Sequence, residues 1–177
     1  MRFSGALPGT PRPVHQPISS DVRTNAFLDF ETDGEWSGFN LEKSTMTTRG
    51  LRSARLSTDG WTELESRPFA TSELPPVGQR LSLDVFVPSS LPNPYWTGTV
   101  SAYLECPSVG VWGRWLGDAN LLDLFPGEWN SVSFGLSQSN RAALTSQAQD
   151  CSLRFAIDTE QTDLAASFFV DRVGFTN

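Results

Sequence analysis

The sequence predicts an all-β sandwich or barrel, and three observations lead there. From Ala26 onward the chain breaks into short runs of alternating apolar and polar residues, separated by Gly, Pro, Asn, Asp and Ser. The composition suits strands and tight turns, with 12 Phe, 6 Trp, 14 Gly and 12 Pro in 177 residues. One segment only, "SQSNRAALTSQA", has a helical pattern, and Ser139 is its expected N-cap. A chain of this length buries roughly 70% of the surface that its unfolded form exposes, which suits one domain with a sizeable core.

Residues 1–25 are polar and interrupted by proline, without a sustained period, and read as a flexible tail or linker. The domain then runs over 26–177. Its strands are expected at "FLDF", "GFNLEKSTMT", "SARLST", "WTELES", "QRLSLDVFVP", "TVSAYLEC", "WNSVSFGL", "CSLRFAID" and "ASFFVDRVGF". Alternation assigns the faces. Leu81, Leu83, Val85 and Val87 point to the core, as do Val100, Ala102 and Leu104, and Leu153, Phe155 and Ile157. Asp84, Phe86, Tyr103, Glu105, Arg154 and Asp158 are left outward, and if their strands are neighbours they form one polar face with aromatic platforms. The last run contains an anomaly: Asp171 and Arg172 sit in the middle of an otherwise buried strand pattern.

A formal net charge of -7 argues against a nucleic-acid or anionic-membrane partner, since both need a basic surface. No stretch approaches the roughly 20 apolar residues of a membrane span, and residues 1–24 lack the apolar centre of a signal peptide. The one histidine, His15, lies in the tail, so Cys106 and Cys151 have no partners for a zinc site; they form one disulfide or remain two buried thiols. There is no nucleophile elbow, phosphate-cradling loop or histidine pair at metal spacing. The enzymatic readings that remain are glycoside hydrolysis by Glu105 with Asp158 and a polysaccharide lyase using Tyr103 with Arg154; the lyase lacks a His or Lys on that face to neutralise a uronate.

Four fragments in order, "FLDFETDGEWSGF", "GLRSARLS", "LLDLFPGEWNSVSFGL" and "FFVDRVGF", resemble the calcium-binding jelly-roll carbohydrate-binding modules of the galactose-binding-like type, found on xylanases and other secreted bacterial polysaccharide-degrading enzymes. The resemblance covers about residues 26–177. It implies a jelly-roll sandwich of two antiparallel sheets, about nine strands in all, with a structural Ca2+ at one edge. Glu31 and Asp171 match the family's metal carboxylates, with backbone carbonyls around Arg49 and Gly50 as further ligands. Asp29 falls on the same face as Glu31 by alternation. Calcium takes 6 to 8 oxygen ligands, which two strands distant in sequence can share. Arg172 stands where the family often has a second acidic residue. The resemblance also implies an extracellular or cell-surface monomer, tethered to other domains of a larger protein.

The expected function is non-catalytic binding of a neutral polysaccharide or oligosaccharide. Tyr95, Trp96, Trp112 and Trp115 lie in segments rich in Pro, Gly and Asn, and aromatic faces stack on the apolar C–H faces of sugar rings. Tyr103, Asp84, Glu105 and Arg154 would add stacking and hydrogen bonds to hydroxyls. Trp112 and Trp115 are three apart, so a regular strand would turn them to opposite faces. Trp36 and Trp61 are expected to close the ends of the sandwich, and Trp129 to lie in the core. The alternative is a structural, adhesion or protein-interaction module, because interfaces also enrich Tyr, Trp and Arg.

Overall fold

The structure is a computed structural model that describes residues 25–58, 60–89, 98–159 and 166–177. Except for Asn25, the expected tail lies outside the described residues, as do Tyr95 and Trp96. Eleven strands and one α-helix follow one another among them: β1 (Asn25–Leu28), β2 (Trp36–Gly38), β3 (Leu41–Ser44), β4 (Ser53–Thr58), β5 (Trp61–Ser66), β6 (Arg80–Phe86), β7 (Thr99–Cys106), β8 (Val111–Asn120), β9 (Trp129–Gly135), α1 (Gln138–Leu144), β10 (Ser152–Asp158) and β11 (Ala166–Thr176). They form two antiparallel sheets, a six-stranded one ordered β3-β4-β11-β6-β9 with β1 also on β11, and a five-stranded one ordered β2-β5-β10-β7-β8.

Two strands exceed the nine read from the sequence. "GFNLEKSTMT" divides at Asn40, whose φ of 56° turns the chain, so that β2 joins one sheet and β3 the other. The segment around Trp112 and Trp115 is the ten-residue strand β8. Its alternation is broken by two register shifts against β7, which hide the strand pattern.

The core is the one that alternation predicts. Leu81, Leu83, Val85, Val100, Ala102, Leu104, Leu153, Phe155 and Ile157 are fully buried between the sheets. Each large side chain there contributes about 1.5–3 kcal/mol by leaving water. Trp36 closes one flank, stacked on Phe30 with ring centroids 5.0 Å apart. Trp129 is only half-buried and meets Phe86 edge-on at 5.9 Å, because alternation in β9 buries Val132 and Phe134 instead. The helix is capped by Ser137, whose Oγ accepts from the Asn140 amide at 3.1 Å; the Ser139 hydroxyl accepts from Arg114 instead.

Cys106 and Cys151 form a disulfide. They extend a register in which Glu105 faces Ser152, so adjacent antiparallel strands bring them together. A bridge closing 45 residues stabilises the fold by about 4 kcal/mol in the chain-entropy model.

The charged pair in β11 marks a change of neighbour. Residues 166–170 pair with β4 along one edge, and residues 173–175 pair with β1 along the same edge. Between them the strand bulges, with Arg172 at φ 50°, and the extra residue lets both Val170 and Val173 reach the core.

Candidate functional site

The outer face of the five-stranded sheet collects most of the residues that alternation turns outward. Register places Trp61, Asp158, Thr99 and Asn120 in one row across β5, β10, β7 and β8. The next row is Glu63, Ala156, Ser101 and Asp118, and the third is Glu65, Arg154, Tyr103 and Trp115. The middle row has small residues at its centre, and Ala156 and Ser101 are buried under their larger neighbours. A low floor therefore runs between aromatic and charged flanks.

Polar groups on this face are paired and fixed. The Trp115 indole donates to Asp118 Oδ1 at 2.8 Å, and the Ser101 hydroxyl donates to the same oxygen at 2.6 Å. Arg154 donates to Glu63 at 3.2 Å while its guanidinium lies 4.7 Å from the centre of the Tyr103 ring. Arg154 Nε–H is shielded from water and has no partner among the described residues, a donor that an incoming oxygen would satisfy. Trp115 and Trp112 remain 57% and 70% exposed. Both turn outward, against the expectation of opposite faces. Val111 sits opposite buried Cys106 and Arg114 opposite buried Leu104, so between these pairs β8 holds one residue more than β7, in the stretch that contains Gly113 with φ 50°, and a second shift lies between Ala102 and Tyr103. Glu105 lies on β7 two residues beyond Tyr103 and faces Ser152.

Asp84 does not join this face. It lies in β6, in the other sheet, where it is buried and accepts from Arg172 at 3.2 Å. Alternation sorts residues within a strand but cannot say which sheet the strand enters. Burial pushes the Asp84 carboxyl above its ordinary value, an effect that Arg172 and hydrogen bonds with Thr48 and Ser131 only partly offset. Trp61 and Glu63 do join the face, although the sequence reading gave Trp61 to the sandwich end. Alternation in "WTELES" held the signal, since Thr62, Leu64 and Ser66 are the buried set.

A second cluster gathers where β11 changes neighbour. Asp171 is 0% exposed; its Oδ2 accepts from the Thr48 amide and hydroxyl, both at 2.7 Å, and from the Arg49 amide at 3.3 Å. Its Oδ1 accepts from the Arg172 amide at 2.8 Å. Glu31 Oε1 accepts from the amides of Leu51 and Arg52 at 2.6 and 3.0 Å. Gly50, at φ 75°, lets the turn close on Glu31, because a Cβ there would lie 2.0 Å from that oxygen. Asp29 stays outside the cluster: φ of 66° at Phe30 breaks the alternation, and exposed Asp29 accepts from the Glu31 amide at 3.2 Å. Among the described residues no three His, Cys, Asp or Glu side chains gather to hold a metal. The carboxylates that meet this turn are those of Glu31 and Asp171, each accepting from backbone amides of the turn. That set fits a calcium ion only with backbone carbonyls completing its shell.

No protein-family model matches the chain, and no curated protein does. Solved structures do. The fold is that of the β-sandwich carbohydrate-binding modules. One structure, described as the basis for the promiscuous specificity of modules from that superfamily, aligns at TM-score 0.56 and 17% identity over 87% of this chain and 62% of its own. A module specific for non-crystalline cellulose, of family 28, aligns at 0.54 and 15% identity over 85% of this chain and 94% of its own. A family 27 module from Caldicellulosiruptor saccharolyticus in complex with mannohexaose aligns at 0.52 and 14% identity, over 82% and 93%. Among the described residues no helix is long and apolar enough to cross a membrane.

Proposed function

We propose that the outer face of the five-stranded sheet binds a neutral polysaccharide without catalysis. The observation that carries this is the row of Trp115, Tyr103 and Arg154 beside the Ser101–Asp118 pair, which sets the exposed Trp115 ring and the half-buried Tyr103 ring next to oriented polar groups over a low floor. Sugar rings offer an apolar face to stack and hydroxyls to both donate and accept. Glu63, Glu65, Glu105, Asp118 and Asp158 outnumber Arg154 on this face, which disfavours uronates and sulfated chains. The cellulose and mannohexaose named for the structural neighbours are neutral chains and support the same class.

We assign Glu31 and Asp171 as the carboxylate ligands of a structural calcium, with carbonyls of the turn around Arg49 and Gly50. When bound, the ion would neutralise a buried charge and hold the two ends of the domain together. The Cys106–Cys151 disulfide supports an oxidising, extracellular setting.

The test is retardation of the protein in native gels containing neutral glucan, mannan, xylan or galactan. Wild type is retarded by at least one of them, and Trp115→Ala loses that retardation while keeping its melting temperature. Retardation by none, or equal retardation of the variant, contradicts the assignment.

A further inference from the structure

A second aromatic site stands on the same face, at the opposite edge from Trp115. Gly38 brings β2 against β5: a Cβ at that position would lie 2.4 Å from the Glu63 carbonyl oxygen. The next residue, Phe39, is anchored through its carbonyl, which accepts from Thr62 Oγ1 at 3.2 Å, while its ring stays 79% exposed. Trp61 is 54% exposed beside it. Phe39, Trp61, Ser37, Glu63 and Glu65 line a cavity of about 240 Å³. Two large rings left in water contribute little to the core, and here they border carboxylates that accept from hydroxyls.

The position of this cavity relative to the first platform follows from the register. Trp61 and Trp115 are separated by three strand intervals across the sheet and two rows along it. Strand spacing and rise make that a diagonal of about 20 Å, the length of roughly four linked pyranose rings. The straight path between them passes over Ala156 and Ser101, the lowest side chains of the face. A single terminal sugar would occupy one platform only.

We infer that Phe39 and Trp61 form a distal subsite, so that the face takes one linear neutral chain of about four or more sugar rings laid diagonally across the strands. This rests on the proposed binding at Tyr103 and Trp115. Its test is calorimetric titration with β-1,4-linked gluco-, manno-, xylo- and galacto-oligosaccharides of increasing length, from disaccharide to hexasaccharide, against wild type, Trp61→Ala, Phe39→Ala and Trp115→Ala. Wild-type affinity for the chain type it binds rises about tenfold or more from disaccharide to tetrasaccharide and then levels. Trp61→Ala and Phe39→Ala remove that rise and leave the disaccharide affinity unchanged. A length dependence that survives both substitutions, while Trp115→Ala abolishes binding, overturns the distal subsite alone. Wild type that binds none of the sugars overturns the underlying reading and the subsite with it.

Discussion

A methyl group at position 50 would meet the Glu31 carboxylate in a turn that already requires a left-handed backbone. Gly50→Ala is therefore expected to destabilise the domain by about 1–3 kcal/mol, read as a lower urea midpoint with an unchanged slope. Asp84 makes a separate prediction. Burial raises its folded-state pKa above the ordinary 3.8, so the ionised form is penalised in the fold and the protonated form is not. Its contribution to stability rises as pH falls through the folded value toward 3.8, and it is lost again above. The unfolding free energy of wild type minus that of Asp84→Asn should grow between neutral pH and about pH 4 in urea titrations. A constant or shrinking difference would contradict the cause assigned here. At this scale the sequence showed that Asp171 and Arg172 were out of place in a buried strand, but not why. Left-handed geometry at Phe30 and Arg172 is not carried by glycine at either position, so no residue type announced it.

Strand β11 holds the sandwich together at its bulge, because its neighbour along one edge changes from β4 to β1 at the point where Asp171 receives the turn of Thr48 and Arg49. Asp171→Ala leaves those donors without their acceptor and is expected to cost about 3 kcal/mol. With calcium held there, wild type melts higher in excess Ca2+ than in chelator, and Asp171→Ala melts alike in both. Equal wild-type melting temperatures would mean that the turn's own amides hold the two carboxylates. Most strands were legible from alternation alone, as the buried sets of β5, β6, β7 and β10 demonstrate. Strand β8 was not, because positive φ at Gly113 and Gly117 and a bulge broke the period that identifies a strand.

Across the molecule, alternation gave the core faces of β6, β7 and β10, but it misplaced Trp112 against Trp115, where β8 bulges, and it did not give the assembly of the strands. Tyr103, Glu105 and Arg154 came together because β7 and β10 are neighbours. Asp84 went to the opposite sheet, and Trp61 with Glu63 arrived from β5, since pairing order depends on long-range contacts that a local period does not encode. The acidic balance on the outer face of the five-stranded sheet matches the net charge of -7, and under the proposed function it favours neutral over acidic polymers. The most direct measurement is the set of backbone amide shifts in an NMR titration with the neutral oligosaccharide that retards the protein. Shifts confined to β2, β5, β10, β7 and β8 and the adjoining Phe39, centred on Trp115, Tyr103 and Ala156, are the result predicted. Shifts centred on β6, β9 and β11 of the six-stranded sheet, with the Trp115 face unmoved, would contradict the assignment.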